Sequence, residues 1–179
     1  KPENFDRASL LNRDIPERLA RACRHHDIAF VHISTDYVFD GETSRPYTED
    51  DAVAPLQVYG RSKRAGEVAV LEALPSALVA RTSTLYGPGT GARPHYVEAI
   101  LSQARSRRLL HVVEKPVSSP TYVPDLADAL LTLLDQGASG LLHVVNSGWC
   151  SRLDLARASV EVARLSTRVE VNTRFASAD

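Results

Sequence analysis

An α/β fold built on a doubly wound parallel sheet is the fold class that the sequence predicts. Two apolar runs rich in β-forming residues, at 28–34 and 77–81, are typical of strands that are covered on both faces. Helical stretches at 14–24 and at about 57–74 each precede one of these strands. Helices and strands that alternate with short connections predict a parallel sheet with crossover helices.

Turn and cap residues set the expected bounds of the first elements. Asp14 is expected to cap the first helix, with Pro16 in its first turn, because both residue types favour a helix start. Residues 36–56 carry glycine, prolines and several acids, which predicts a loop. Pro75 is expected to end the second helix, because a proline ring disfavours helical backbone in the residue before it.

A change in the sequence after Gly87 predicts passage into a second, smaller lobe. The segment 87–94 is punctuated by glycine and proline and is expected to lead into that lobe. Beyond this segment the patterns predict helices at 95–107, 124–135 and 152–164, strands at 109–113 and 140–145, and a loop at 115–121.

The composition argues against several classes of protein. The formal net charge is -1, from 21 basic and 22 acidic residues, so neither a nucleic acid nor an anionic membrane is an expected partner. No apolar run approaches the length of a transmembrane helix, and residues 1–20 show no signal-peptide pattern. Cys23 and Cys150 are far apart and lack metal-ligand spacing, so we expect no metal site, no disulfide framework and a cytoplasmic location.

The sharpest chemical feature is a tyrosine and a lysine four residues apart on the second predicted helix. Tyr59 and Lys63 should lie on one face, one turn apart. A nearby ammonium favours the phenolate and should lower the pKa of Tyr59, which makes the phenol a better proton donor near neutral pH. Taken alone, this spacing is common enough to arise by accident on a solvated helix.

Two further polar segments are expected at the same edge of the sheet. Thr35 follows the first buried strand, and the segment 81–87 begins at the end of the second strand. Ligands of open α/β sheets bind outside the carboxyl ends of the strands, where the Thr35 hydroxyl could hydrogen-bond a substrate oxygen. A strand-end threonine can instead satisfy the local backbone. Because these segments converge with Tyr59 and Lys63, they predict a functional crevice.

Four segments together resemble the dTDP-4-dehydrorhamnose reductases, a branch of the extended short-chain dehydrogenases. They are STDYVFDG (34–41), PLQVYGRSK (55–63), RTSTLYG (81–87) and SPTYVPDLADAL (119–130). The likeness runs from about Asn12 to Ala163. It implies a Rossmann-like doubly wound sheet, of which this chain would hold the C-terminal half. Residues 1–87 would then be the second half of the cofactor-binding domain, and residues 88–179 would be mainly the substrate-binding lobe.

The resemblance also implies a reaction and its residues. NADPH or NADH would give a hydride to C4 of a dTDP-4-keto-6-deoxy sugar. Tyr59 would protonate the new alkoxide while Thr35 hydrogen-bonds it, and Lys63 would bind the nicotinamide ribose. The residues implied at the cofactor are Ser34, Tyr59 and Lys63, and those implied at the sugar are Thr35, Asp36 and Thr84. The implied partner is the nucleotide-sugar substrate, and a homodimer is also in keeping with the resemblance.

Two departures from the family pattern bear on this expectation. No G-x-x-G-x-x-G segment occurs in the sequence, and the glycines at 87, 89 and 91 do not supply one. These residues alone therefore lack the turn that binds the cofactor pyrophosphate. The rhamnose enzymes usually place a tryptophan against the sugar where this chain has Thr84, so the missing stacking surface leaves the sugar open.

Two other functions remain open from the sequence. The first is an epimerase or 4,6-dehydratase of the same superfamily. Dehydratases usually follow the threonine with Asp-Glu, whereas Thr35 is here followed by Asp36 and Tyr37. The second is a non-catalytic regulatory subunit similar to the β subunit of methionine adenosyltransferase, whose ILYG-type strand ending resembles the TLYG of this chain. The RTS segment that begins at Arg81 favours the reductase.

Overall fold

The computed structural model describes residues 2–88 and 94–172. The helices are α1 Pro2–Ser9, α2 Ile15–His25, α3 Val58–Ala73, α4 Tyr96–Ala104, α5 Val123–Asp135 and α6 Arg152–Val162. The strands are β1 Val31–Thr35, β2 Leu78–Thr82, β3 Leu85–Tyr86, β4 Leu109–Val112, β5 Val117–Ser118, β6 Thr121–Tyr122, β7 Gly140–His143, β8 Cys150–Ser151 and β9 Arg168–Val171. A π-helical turn, Leu10–Asp14, joins α1 to α2, and a 3₁₀ turn, Asp36–Val38, follows β1.

The chain divides into two compact units, each formed from two separate stretches of sequence. The first unit comprises Lys1–Thr82 and Ala127–Val144, and the second comprises Ser83–Leu126 and Val145–Asp179. Strand β7 and most of α5 therefore belong to the first unit, although they follow the first part of the second unit in sequence. The expected passage at 87–94 lies largely outside the described residues.

A three-stranded parallel sheet forms the centre of the first unit. Strand β2 lies between β1 and β7, with Leu78 opposite Val31 on one side and opposite Gly140 on the other. All five residues of β2 are buried, as its continuous apolar pattern predicts. The predicted α/β fold with a parallel sheet is confirmed.

Helices α2 and α3 pack together beside this sheet. Their shared core consists of small and branched apolar side chains from both helices and from the segment around β2, namely Ala20, Val70, Ala73, Leu74, Ala77 and Val79. The helix predicted at 14–24 is confirmed, but helical backbone already runs from Pro2 through the π-helical turn into α2. This earlier helical segment was not predicted from the sequence.

The second unit is built from short strand pairs and two helices. Strands β3 and β6 are parallel, β4 and β9 are parallel, and β5 and β8 are antiparallel. Its core comprises apolar residues of α4, β4 and α6, namely Ile100, Ala104, Leu110, Val112, Leu153, Ala156 and Val160. The loop predicted at 115–121 contains β5 and the start of β6, because two-residue strands carry too little periodicity to be detected.

Helix α3 approaches the turn after β1 too closely for any side chain at Gly60. A Cβ atom added there would lie 2.1 Å from the carbonyl oxygen of Tyr37, which is backbone and cannot rotate away. Gly66, two turns later, is confined in the same way by the carbonyl oxygen of Asn12, at 1.9 Å. These two contacts fix how deeply α3 sits against the Asp36–Val38 turn and the π-helical turn.

Gly60→Ala is expected to destabilise the protein. In a helix interior alanine is more stabilising than glycine by about 1 kcal/mol. Forcing α3 away from Tyr37 should cost about 3 kcal/mol. The steric cost should exceed the gain in helix preference, so we expect the free energy of unfolding to fall by about 2 kcal/mol, as measured by urea denaturation. The control is Val68→Ala, at a position of the same helix that is 39% exposed. An unchanged or raised stability of Gly60→Ala would show that the turn yields to the helix.

Candidate active site

Thr35 ends β1 at the carboxyl edge of the sheet, where the sequence analysis expected it. Its hydroxyl accepts a hydrogen bond from the backbone N–H of Tyr37 at 3.3 Å and donates to Oδ1 of Asp36 at 3.1 Å. Its side chain also interacts with Tyr59 and acts to lower the pKa of that phenol. Thr35 therefore satisfies the local backbone and also lies beside the candidate proton donor.

Tyr59 lies in the first turn of α3 and keeps 46% of its surface exposed. Burial of the rest raises the pKa of Tyr59 above its ordinary value, the interaction with Thr35 opposes this, and the charge of Asp36 adds to the rise. The expected lowering of this pKa by Lys63 is wrong for the chain by itself. With a raised pKa the phenol keeps its proton at neutral pH, which is the state that a proton donor requires.

Lys63, one turn later on α3, is directed at the backbone of β1. Its ammonium donates a hydrogen bond to the carbonyl of Ile33. Burial lowers the pKa of Lys63, and the nearby carboxylate of Glu67 opposes that shift. The ammonium is thus held by the backbone of β1, and the shift in the pKa of Tyr59 has other causes.

Ser34 is buried, and its hydroxyl points into the protein. It donates to Oε1 of Glu67 at 2.6 Å. Glu67 also accepts hydrogen bonds from Nε and Nη2 of Arg81, each at 2.8 Å. The hydroxyl of Ser34 is therefore committed to this buried network, and a contact of Ser34 with a cofactor would have to use its backbone.

Glu67 and Arg81 were not predicted as site residues, although each has a detectable signal in the sequence. Glu67 continues the spacing of Tyr59 and Lys63 by another four residues, so the three side chains lie along one face of α3. Arg81 is a charged residue within an apolar run predicted to be buried. A charge inside a buried strand implies a buried partner, and the next acidic residue along the tyrosine–lysine face was the natural candidate.

One more side chain ties the same helix to the π-helical turn. Asn12, in the π-helical turn, donates to the hydroxyl of Ser62 at 2.9 Å, and Ser62 donates to the carbonyl of Tyr59 at 2.8 Å. His32 of β1 is buried, and its pKa is lowered to about 4 by burial and by the charge of Lys63, with Glu67 opposing. His32 is therefore neutral near pH 7 and adds no charge beside Lys63.

Thr84 lies in the second unit and has an unusual backbone. Its φ angle is 29°, in a region that branched side chains rarely adopt. Its carbonyl accepts from the N–H of Thr121 at 3.1 Å, and its hydroxyl lies 2.8 Å from that of Ser118. The structure thus groups Ser34, Thr35, Asp36, Tyr59 and Lys63 in the first unit and holds Thr84 in the second by contacts of its own.

The described residues contain no cluster of histidine, cysteine, aspartate and glutamate side chains suited to a metal ion. Across those same residues, no helix combines the length and the apolar character needed to cross a bilayer.

Comparison with known proteins identifies the family. Residues 3–177 match the RmlD substrate binding domain. The chain is 46% identical over 159 residues to a dTDP-4-dehydrorhamnose reductase of Mycobacterium tuberculosis, with 86% of this chain and 52% of that protein covered. It therefore spans about half the length of this relative.

Solved structures give the same result. A dTDP-4-dehydrorhamnose reductase of Clostridium acetobutylicum superposes with a TM-score of 0.90 at 33% identity, covering 97% of this chain and 61% of that one. A dTDP-4-dehydrorhamnose reductase of Bacillus anthracis in complex with NADP superposes with a TM-score of 0.89 at 32% identity, covering 95% of this chain and 59% of that one. By sequence and by structure, this chain belongs to the RmlD substrate binding domain family.

Proposed function

We propose that the chain is the catalytic and substrate-binding part of an NAD(P)H-dependent reductase that acts on a dTDP-4-keto-6-deoxy sugar at C4. One observation carries the proposal, namely the interaction of the Thr35 side chain with the phenol of Tyr59, with Lys63 one turn further along the same helix. The names of relatives that share about half their length with this chain support the same reaction.

The residues of this chain would handle the proton and the orientation of the sugar. Tyr59 would give its phenolic proton to the oxygen that forms at C4, since its raised pKa keeps it protonated at neutral pH. The Thr35 hydroxyl would hydrogen-bond the same oxygen and hold it within reach of the phenol. In the structure the hydroxyl donates its single proton to Asp36, so on substrate binding it would have to turn that proton towards the C4 oxygen.

The residues present fit one end of a nicotinamide cofactor. The Lys63 ammonium and the partly exposed phenol of Tyr59 are donors suited to the hydroxyls of the nicotinamide ribose. NADPH or NADH would supply the hydride. The pyrophosphate would need a glycine-rich turn that this sequence does not contain. In this proposal residues 1–87 belong to the second half of the cofactor-binding domain and residues 88–179 mainly to the substrate lobe, with Ala127–Val144, which pack in the first unit, as the exception.

The test is turnover by the protein that carries these residues together with a glycine-rich cofactor-binding half. With dTDP-4-keto-6-deoxyglucose, we expect loss of the absorbance of reduced nicotinamide and a product that is reduced at C4. Absence of turnover with either nicotinamide, together with tight binding to a methionine adenosyltransferase, would instead establish the regulatory function. A cytoplasmic location and a homodimer are parts of the same proposal, to be checked by cell fractionation and by analytical ultracentrifugation.

Thr84→Trp is expected to narrow the range of sugars that this protein reduces. A flat indole would cover one face of the sugar ring, a contact worth about 1 kcal/mol beyond burial. The ratio of kcat/KM between two C4-keto sugars should therefore rise by about fivefold to tenfold, with turnover retained. Thr84→Val is the control, because it removes the hydroxyl that contacts Ser118 but adds no stacking surface. Equal ratios in Thr84→Trp and in the parent protein would remove Thr84 from the sugar site.

A further inference from the structure

A buried polar network ties α3 to the first two strands directly behind the candidate site. Glu67 is fully buried and Arg81 is 3% exposed. The two arms of Arg81 reach the two oxygens of Glu67, Nε to Oε1 and Nη2 to Oε2, each at 2.8 Å. Ser34 donates to Oε1 at 2.6 Å, and Arg64 of the next helical turn back donates to Oε2 at 3.0 Å. One carboxylate thus joins three elements: α3, β1 and β2.

Stability does not account for such a network. Removing two charges from water costs about as much as their attraction returns, so a buried ion pair can often be replaced by apolar side chains without loss. An apolar contact does not fix the orientation of the groups that it joins, whereas a hydrogen bond does. A carboxylate that is bound by a bidentate guanidinium and by a hydroxyl therefore holds its helix in one position, because each bond requires its own distance and angle.

The members of the network lie next to residues of the candidate site on both sides. Glu67 lies one helical turn after Lys63 and two turns after Tyr59, on the same face of α3. Ser34 is the residue before Thr35 in β1. A shift of α3 along β1 would therefore break the bond between Ser34 and Glu67 and would move the phenol away from the Thr35 hydroxyl at the same time.

Arg81 extends the network to the segment that follows Thr35. Its guanidinium carbon lies 5.1 Å from the centre of the Phe39 ring, and Phe39 stacks on Tyr47 with ring centres 4.1 Å apart. Tyr47 in turn donates to Asp40 at 2.5 Å. The same guanidinium therefore contacts both the helix that carries Tyr59 and Phe39, the residue directly after the turn that carries Asp36.

We infer that Glu67, held by Arg81 and Ser34, is a positioning residue that sets the distance between the Tyr59 phenol and the Thr35 hydroxyl. Its effect on turnover rests on the proposed function, whereas its effect on the geometry of α3 does not. Glu67 acts through Tyr59 and Lys63 and touches no reacting atom.

The experiment compares two variants of the network with a matched control in the protein that includes the cofactor-binding half. Glu67→Gln keeps the size of the side chain but removes its charge, and Arg81→Lys keeps the charge but removes the two-armed geometry. Glu17→Gln breaks an exposed pair with Arg21, also at 2.8 Å, in α2. Amide hydrogen exchange is followed at residues 33–38 and 58–64, with β7 as an internal reference, and kcat and KM are measured per folded molecule.

In both network variants we expect amide exchange in the two segments to rise about tenfold while β7 stays protected. The kcat should fall about 10- to 100-fold, as misplacement by about 1 Å does, with KM changed less than about threefold. Glu17→Gln should match the parent protein in every measurement. A network with a purely structural role would lower the folded fraction but leave kcat per folded molecule unchanged, and that result would overturn the inference.

Failure of a variant to fold and absence of turnover in the parent protein are two further outcomes. If Glu67→Gln does not fold, Ser34→Ala removes a single bond from the same carboxylate, and it should raise exchange in the two segments about threefold. Parental exchange in Ser34→Ala would then refute the inference. If the parent protein shows no turnover, the proposed function fails while the exchange measurements still decide whether Glu67 fixes α3.

Discussion

Tyr59→Phe should lower kcat by about 10²–10⁴ in the reductase assay, which is the usual contribution of a positioned general acid. The variant keeps the ring and loses only the proton that the C4 oxygen would receive. Cofactor affinity, measured by fluorescence titration with NADPH, should change little, because Lys63 remains. Because the pKa of Tyr59 is raised above its ordinary value of 10.0, the parental rate should not fall through loss of this proton near neutral pH, but only under strongly alkaline conditions where the phenol ionises.

Tyr47→Phe is the matched control for this prediction. It removes the hydroxyl that donates to Asp40 in the loop after β1, and no group of the candidate site loses a partner. We expect a small loss of stability, about 1 kcal/mol, and the parental kcat. Reduction of the 4-keto sugar by Tyr59→Phe at the parental rate would exclude Tyr59 as the proton donor.

Lys63→Ala should damage both turnover and cofactor binding. The ammonium is the hydrogen-bond donor proposed for the nicotinamide ribose, and a hydrogen bond to a charged group contributes about 1.5–3 kcal/mol. The dissociation constant for NADPH should therefore rise at least about tenfold, and kcat should fall with it, because the nicotinamide loses its orientation. Isothermal titration gives the first quantity and the nicotinamide absorbance gives the second.

Arg61→Ala is the control for the removal of a cation from the same helix. Its guanidinium is exposed and donates to the carbonyl of Leu56 at 2.9 Å, outside the candidate site. Turnover and NADPH affinity should both stay at the parental values. A Lys63→Ala protein with lowered kcat but unchanged NADPH affinity would separate Lys63 from the cofactor and leave it a role toward Tyr59 alone.

The larger elements were predictable because their signals are local. The apolar run at 77–81 predicts a fully buried strand, and β2 is that strand. The helix expected at about 57–74 is α3, which ends at Ala73, two residues before Pro75. The two-residue strands of the second unit were not predictable, because β3 and β5 exist only through the strands they pair with, β6 and β8.

The neighbourhood of Thr35, Tyr59 and Lys63 was predictable from the sequence, and the ionisation of these groups was less so. Helical spacing placed Tyr59 and Lys63 on one face, and the structure adds the interaction between Tyr59 and Thr35. The pKa of Tyr59 was expected to fall but rises, since ionisation depends on burial and on where the Lys63 ammonium points. The spacing of residues along a helix shows neither how deeply a side chain is buried nor where the ammonium points. The roles of these residues in the reaction stay predictions.

The sequence by itself determined which chemical groups the chain offers and in what order they reach the sheet edge. Strand ends and helical spacing follow from local patterns, so Thr35, Tyr59 and Lys63 could be selected without coordinates. Only the tertiary structure decided that Glu67 is fully buried, that Arg81 and Ser34 hold it, and that Lys63 bonds the backbone of β1. The physical reason is distance along the chain. Arg81 and Glu67 are 14 residues apart, and Lys63 and Ile33 are 30 apart, so those contacts exist only once α3 has packed on the sheet.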